Sequence, residues 1–489
     1  MRKLGWIVGV ALGLFGCNGG GDHVLPILAP GGGGDGGPTT SVTKSAFGLA
    51  LGGHLGGLGA FLRPNGATDA GAAADAGMAD AGTPDAGGID AGQPDAGAPP
   101  PSPWPNQPVT VYGSANGIQE LPVVGAQPDE AQNIWLVTHS ALYLLKPGET
   151  TFHRYTDADG LHLSLSTPPG ITAVAGGAPG EAFVGYEGYD TNDPSTMTQA
   201  QRDMGKLDRV NLNPDGTISV FRFNVHDTVS INYWENHSVR RLLYDHDYHP
   251  GNLYAGFNHG VDRIRGNDYV DHIHVEVCTG GCATNPDALD IGEWRGLAFD
   301  PNHGGALWTA GEYSAGLIGW TADLMSWIDN GANPFIVAFG DPYPPFAPVF
   351  EPPAEGDSVN LRAVAVAPDG LVWFASGEQW SPATDPMYGI ASYRIDTGSF
   401  SYYDPTSLGF GTNDLLDLVA LPDGRLVFGT HDGLRVWTPP SGAVQSLTMT
   451  DGLPGNDVQM MYLDASVTPP ALYVGTDGGL AVLRIPATK

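Results

Sequence analysis

Residues 472–480 read Leu-Tyr-Val-Gly-Thr-Asp-Gly-Gly-Leu, and this stretch decides the fold. It joins a short apolar strand to a second one through a glycine turn. The first strand holds the aromatic and β-branched residues that favour sheets. The same arrangement occurs seven times along the chain, at spacings of 46 to 71 residues. The first strands of the seven copies are 134–138, 182–185, 253–256, 307–310, 372–376, 426–430 and 472–476.

Each copy follows another apolar strand and a turn, and the clearest turns are Pro-Asp-Gly at 368–370 and 422–424. Proline presets φ, aspartate caps the turn locally and glycine tolerates positive φ. Radial repetition of four-stranded units at this period is typical of a propeller. The sequence therefore predicts an all-β fold, a seven-bladed β-propeller over residues 105–489.

The last unit supplies only three strands of its own, at 457–463, 471–476 and 480–485. A fourth strand is available at the start of the domain, in the Val-Thr-Val-Tyr-Gly run at 109–113. Pairing the two ends of the chain would hide two sheet edges and join the ends of the ring. We therefore predict closure of the last blade by an N-terminal strand.

Residues 450–458 and 472–480 together resemble the two-component regulator propeller repeat, and 156–161 and 429–434 follow the same pattern. That family forms periplasmic propellers, often the ligand-sensing parts of receptors, and similar repeats occur in streptogramin lyase-like propellers. The resemblance implies a ligand-binding propeller outside the cytoplasm. No transmembrane helix or kinase follows the repeats in this sequence, so we do not expect signalling through a membrane.

The N-terminus carries an export signature. Arg2 and Lys3 precede an uncharged apolar run at 4–16, which is too short to span a bilayer, and Cys17 follows. Residues 14–17 resemble the lipobox of bacterial lipoproteins, which implies acylation of Cys17. We expect a lipoprotein signal over 1–17 and a lipid-anchored protein of the cell envelope. Asn18 after the cysteine resembles the outer-membrane lipoproteins of enteric bacteria, which implies the outer membrane. A plain secretory signal is the alternative.

Residues 18–104 are dominated by Gly, Ala, Pro and Asp, and Asp-Ala-Gly recurs six times between 69 and 97. Such a segment has little apolar surface with which to offset the entropy of ordering. We expect a disordered linker between the anchor and the propeller. A calcium-binding repeat is the alternative, but alanine fills positions that would need ligands.

The charge balance excludes one class of partner. The whole chain has a formal net charge of −32, and residues 105–489 hold 45 acids and 17 bases, a net of −28. Such a surface repels phosphate backbones, so no nucleic-acid partner is expected.

Besides Cys17, the chain contains only Cys278 and Cys282, separated by Thr-Gly-Gly. In an oxidising compartment this pair predicts a small disulfide loop. A zinc site shared with His272 and His274 is the alternative, because sulfur and imidazole at close spacing suit zinc.

Three arginines occupy equivalent positions in consecutive units: Arg240, Arg295 and Arg362. In propellers such positions face the mouth of the axial channel, and guanidinium groups bind carboxylates or phosphates through paired hydrogen bonds. They are our main candidates for binding a small anionic or sugar-acid ligand. The alternative is that each pairs with an acid of a neighbouring blade, such as Asp245 or Asp300.

Loops expected at the same face contribute further polar and aromatic side chains. The additional ligand candidates are Trp234, Glu378, Trp380, His431 and Asp432, and the weak metal candidates are His139, His259 and His431. No cofactor is predicted, with a divalent cation as the alternative. The preferred function is a membrane-anchored, extracytoplasmic binding or scaffold module, whose partner would be a protein, a carbohydrate or a small anionic ligand. A metal-assisted hydrolase or lyase in the axial funnel is the alternative, although no standard catalytic motif is found.

Overall fold

The computed structural model describes residues 109–189, 197–223, 238–258, 260–266, 269–273, 277–278, 289–290, 293–312, 315–318, 346–350, 360–377, 389–440 and 442–485. The predicted signal, Cys17 and the predicted linker lie outside these residues. In the described part of the chain, no helix is long and apolar enough to cross a membrane.

Seven four-stranded antiparallel sheets form the ring of a seven-bladed β-propeller, which confirms the predicted fold. The strands of each blade are given from the axis outward. Blade one contains β2 (Val123–Pro128), β3 (Ile134–Thr138), β4 (Ala141–Leu145) and β5 (His153–Tyr155), and blade two contains β6 (Ile171–Gly176), β7 (Glu181–Tyr186), β8 (Leu207–Leu212) and β9 (Ile218–Phe223). Blade three contains β10 (Val239–Tyr244), β11 (Asn252–Phe257), β12 (Gly260–Arg265) and β13 (Tyr269–Ile273).

Blades four to six continue the same order. Blade four contains β16 (Trp294–Asp300), β17 (Ala306–Gly311), β18 (Ala315–Ile318) and β19 (Phe346–Phe350). Blade five contains β20 (Leu361–Val366), β21 (Val372–Ser376), β22 (Ile390–Arg394) and β23 (Ser399–Tyr403). Blade six contains β24 (Asp417–Ala420), β25 (Leu426–Thr430), β26 (Gly433–Trp437) and β27 (Gln445–Leu447). Between blades three and four, β14 (Val277–Cys278) pairs with β15 (Leu289–Asp290) as a separate ladder.

Blade seven is closed as predicted. It contains β28 (Val458–Asp464), β29 (Ala471–Thr476) and β30 (Gly479–Arg484), and β1 (Thr110–Tyr112) completes it from the other end of the domain. The register of β1 places Thr110 opposite Val482 and Tyr112 opposite Leu480.

Helical structure in the described residues is limited to short pieces between strands. They are the α-helices Gln199–Arg202 and Pro405–Leu408 and the 3₁₀ turns Ser114–Asn116, Asp157–Asp159, Leu163–Leu165, Pro301–His303 and Met449–Asp451.

Both faces of a blade are buried, because each sheet lies between two others, and this explains the nearly continuous apolar strands. In β25, all five residues from Leu426 to Thr430 are buried. The large residue at the second position of this strand type packs between blades; Trp135, Trp308 and Trp373 are examples, each at most 1% exposed. Burial of such side chains stabilises the ring by about 1.5–3 kcal/mol each.

The Pro-Asp-Gly turns form as predicted. In the first, the amide of Gly370 donates to the carbonyl of Ala367 at 2.9 Å, and φ of Gly370 is +83°. The Asp369 carboxylate accepts a hydrogen bond from the amide of Leu371 at 3.1 Å. These two turns connect the inner strands of blades five and six to the next strand, and so fix the register of that strand pair in each of the two blades.

Candidate functional site

A β-bulge recurs near the start of the innermost strand in six of the seven blades. In each case, the strand pairing shifts by one residue between the first and third positions, so that the second residue is the extra one. A bulge bends the strand and re-aims the side chain of the extra residue. The bulged residues are Val124, Thr172, Arg240, Arg295, Arg362 and Gln459, and blade six places Leu416 just before β24.

All seven of these residues line one axial pocket, with a volume of about 280 Å³. The three arginines occupy consecutive blades, three to five, and so form one side of the pocket, which we call the basic wall. The wall on the far side is less polar. The remaining lining residues are His139, Pro169, Glu187, Arg241, His431, Val458 and Met460.

Carboxylates connect the guanidinium groups of the basic wall. Arg240 donates from Nη1 to Glu187 and from Nη2 to Glu293, both at 2.6 Å, and the other Glu293 oxygen accepts from Arg295 Nη2. Ser238 Oγ donates to Glu187 at 2.8 Å. These contacts hold Arg240 rigidly between blades two and four, because an acid on each side fixes one of its two terminal nitrogens.

The same network shifts the titration of its members. Burial acts to raise the pKa of Glu293, but the guanidinium groups of Arg240 and Arg295 outweigh it and hold the pKa below its ordinary value. Burial acts against the Arg240 cation, yet the carboxylates of Glu293 and Glu187 raise the pKa of Arg240 above its ordinary value. Both groups are therefore charged at neutral pH.

A second group of charges lies at the rim. Arg362 Nη1 is 3.4 Å from an Asp414 oxygen, and His431 Nε2 is 3.2 Å from the other. The Nδ1 atom of His431 is 2.6 Å from Asp457. The imidazole, with its side chain 60% exposed, therefore bridges the starts of two inner strands.

Arg241, which lines the pocket, forms an ion pair with Asp417. Their side chains meet at 3.0 Å across the ring, from blade three to blade six. Asp417 also accepts from the amide of Met461 at 2.7 Å. At the corresponding position blades one and four have glycines, Gly125 and Gly296, where a Cβ would come close to residues of neighbouring inner strands, Met460 and Val364.

The structure places five of the residues singled out from the sequence at this pocket: Arg240, Arg295, Arg362, His139 and His431. Their predicted role in ligand binding stays a prediction. The acids that pair with the arginines are Glu187, Glu293 and Asp414. The acids suggested from sequence serve elsewhere, since Asp245 accepts backbone amides at its own turn and Asp300 accepts the indole N–H of Trp308.

Other sequence candidates lie away from the pocket or outside the described residues. The Asp432 side chain is 75% exposed and pairs with Arg435 at 3.2 Å. Cys278 is the second residue of β14, and nothing described decides between a disulfide and a metal for it. Trp234, His259, Cys282, Glu378 and Trp380 lie outside the described residues.

The metal hypothesis gains no support from the described part of the chain. No group of three or more His, Cys, Asp or Glu side chains there is arranged to hold an ion. His139 instead donates from Nδ1 to the carbonyl of Ile171 at 2.9 Å.

Sequence reasoning missed Arg241, Glu293 and Asp417. The Arg-Arg pair at 240–241 was a signal for Arg241. Successive side chains of a regular strand point to opposite faces, so the two arginines cannot both face the same side unless the strand is irregular. The bulge lets both reach the axis, at successive depths. Asp417 carries no such signal, since its partner is 176 residues away.

No protein-family model matches the sequence. No curated protein matches it in sequence either. Solved structures do resemble it. An extracellular domain assigned to a hybrid two-component system of B. thetaiotaomicron has a TM-score of 0.48 and 13% identity over 77% of this chain, which spans 42% of that domain's chain. A streptogramin B lyase has a TM-score of 0.45 and 11% identity over 77% of this chain, and the match covers 96% of the lyase chain.

 

The chain therefore spans less than half the length of the first of these structures and nearly the whole length of the second.

Proposed function

We propose that the protein is a lipid-anchored, extracytoplasmic binding module whose axial pocket takes a small sugar acid. The four arginines of the pocket face the carboxylates of Glu187, Glu293, Asp414 and Asp417. Their charges are thus largely balanced, so the pocket offers directed hydrogen bonds rather than a strong positive field. Fixed donors and acceptors of this kind suit a ligand with several hydroxyl groups and one carboxylate.

The observation that carries the proposal is the hydrogen bonding of the Arg295 guanidinium group. Within the described residues, its guanidinium is paired with Glu293 through Nη2, and its side chain is 28% exposed at the pocket. The hydrogens on Nη1 and Nε then remain for a carboxylate of the ligand. Because Glu293 fixes the plane of the guanidinium, little side-chain entropy is lost when the ligand binds.

The size of the pocket limits the ligand. A volume of about 280 Å³ lies just below the usual range of about 300–1,000 Å³ for small-molecule sites. A single sugar-acid unit is therefore a better fit than an oligosaccharide.

Isothermal titration with glucuronate, and with glucose as the neutral analogue, tests the proposal. We expect saturable binding of glucuronate, and a loss of about tenfold or more in affinity in Arg295→Ala, because a hydrogen bond to a charged group contributes about 1.5–3 kcal/mol. The matched control is Arg425→Ala, which removes an arginine paired with Asp423 at a turn outside the pocket. The proposal is wrong if glucuronate does not saturate the protein, or if both variants bind it equally well.

A further inference from the structure

A groove between blades five and six forms a second concave site, with a volume of about 310 Å³. It lies at the ends of the inner strands where Asp369 and Gly424 form turns, whereas the axial pocket lies at their beginnings. The remaining lining residues are Ala367, Leu371, Trp373, Ser392, Arg394, Ser399, Ser401, Tyr403, Pro439 and Pro440.

The groove exists because blade five has a small residue where other blades have a large one. In the row across the sheet, Trp373 lies opposite Ser392, and Ser392 lies opposite Ser401. This face of blade five packs on blade six, where Trp373 belongs to the shared core. The residues at the place of Ser392 in the other blades are Leu144, Arg209, Arg263, Leu317, Val436 and Val482.

Hydroxyl groups and one cation lie together on this face. Arg394 follows Ser392 by two residues, so both side chains lie on the same side of the strand. Ser399 lies opposite Arg394 in the next strand, and its hydroxyl is 2.6 Å from that of Thr397. Serine hydroxyls and a guanidinium group are the usual donors to an oxyanion.

Arg394 differs from the other arginines of the described residues. Each of the others has an ion pair or hydrogen bond within the protein, whereas none is seen for Arg394 among the described residues. In a chain with a net charge of −32, an arginine without an acidic partner among the described residues is unexpected. Its donors remain for a ligand.

The opposite side of the groove is apolar. Leu371, Pro439 and Pro440 line it, and the rings of Trp373 and Tyr403 pack at 5.6 Å over its floor. The Asp369 carboxylate accepts the amide of Leu371, so one of its oxygens is already occupied within its own turn.

We propose that this groove is a second binding site, for a ligand that joins one oxyanion to a flat apolar body, as in an aryl phosphate, sulfate or carboxylate. Arg394 and the hydroxyls of Ser392, Ser399 and Ser401 bind the oxyanion. The apolar body lies against Leu371 and the two prolines. The site is separate from the axial pocket and does not depend on the ligand proposed there.

Isothermal titration of the purified protein with phenyl phosphate, inorganic phosphate and phenol tests the site. We expect saturable binding of phenyl phosphate that is tighter than that of either fragment. Arg394→Ala should weaken it about tenfold or more, because a charge-assisted hydrogen bond is lost. Arg484→Ala, an arginine on blade seven, is the matched control and should leave the affinity unchanged.

Ser392→Leu provides a second variant, since blades one and four carry leucine at the same place. It should fill the groove and abolish binding of phenyl phosphate, while Arg295→Ala should not change it. The proposal is overturned if phenyl phosphate does not saturate the protein, if Arg394→Ala and Arg484→Ala bind it equally, or if Arg295→Ala abolishes binding.

Discussion

Replacing Arg241 and Asp417, singly and together, tests how the ring is held at its centre. Asp417 is 1% exposed, and its carboxylate meets Arg241 at 3.0 Å across the axis. Arg241→Met leaves this buried carboxylate without its cation. Asp417→Leu leaves the guanidinium without its anion and the amide of Met461 without its acceptor.

The contacts of Asp417 indicate how much free energy of unfolding each variant loses. Removing one partner of a buried ion pair costs about 3–5 kcal/mol. Arg241→Met should lie at the low end, about 3 kcal/mol, because Asp417 keeps the amides of Met461 and Leu418 as donors at 2.7 and 2.9 Å. The double variant replaces both charges with apolar side chains, so its loss should be smaller than the sum of the single losses by about 1–3 kcal/mol.

Urea unfolding followed by fluorescence and circular dichroism measures each loss, and the two transitions should coincide. The control cycle uses Glu149 and His153, an exposed pair at 3.1 Å, for which we expect a coupling below about 1 kcal/mol. Losses that add to within about 0.5 kcal/mol for Arg241 and Asp417 would refute the reasoning, because the pair would then contribute no coupling across the axis.

Two further predictions concern stability and location. Asp129→Ala should lower the free energy of unfolding by about 3–5 kcal/mol, because this buried carboxylate accepts the Trp135 indole N–H at 3.0 Å and the Gly180 amide of blade two at 2.8 Å; a change below about 1 kcal/mol in urea unfolding would contradict it. For the proposed anchor, Cys17→Ser should abolish incorporation of radioactive fatty acid and release the protein from the membrane fraction, and equal labelling of the two forms would show that Cys17 is not the acylated residue.

The propeller could be predicted because its signals are local. A strand such as β25 shows its burial in five successive residues, and the turn at 368–370 shows its geometry in Pro-Asp-Gly. Seven repeats of these signals fix the number of blades. The shortage of strands in the last unit predicts closure by β1, because an unpaired sheet edge is unfavourable.

The candidate site could be predicted only in part. Equivalent positions in consecutive repeats indicated Arg240, Arg295 and Arg362, and the structure brings all three to the axial pocket. Their acidic partners were not recoverable, because Glu187 and Asp414 lie on different blades from the arginines they bind.

What the sequence determined by itself is the repeat, the turns and the closure, since each depends on residues near one another or on a count of strands. Only the tertiary structure decided that Arg241 meets Asp417 and that the small side chain of Ser392 opens a groove against Pro439. The physical reason is that such contacts form between blades. Their geometry depends on the bulges and on the closure of the ring, which bring together residues that no local pattern connects.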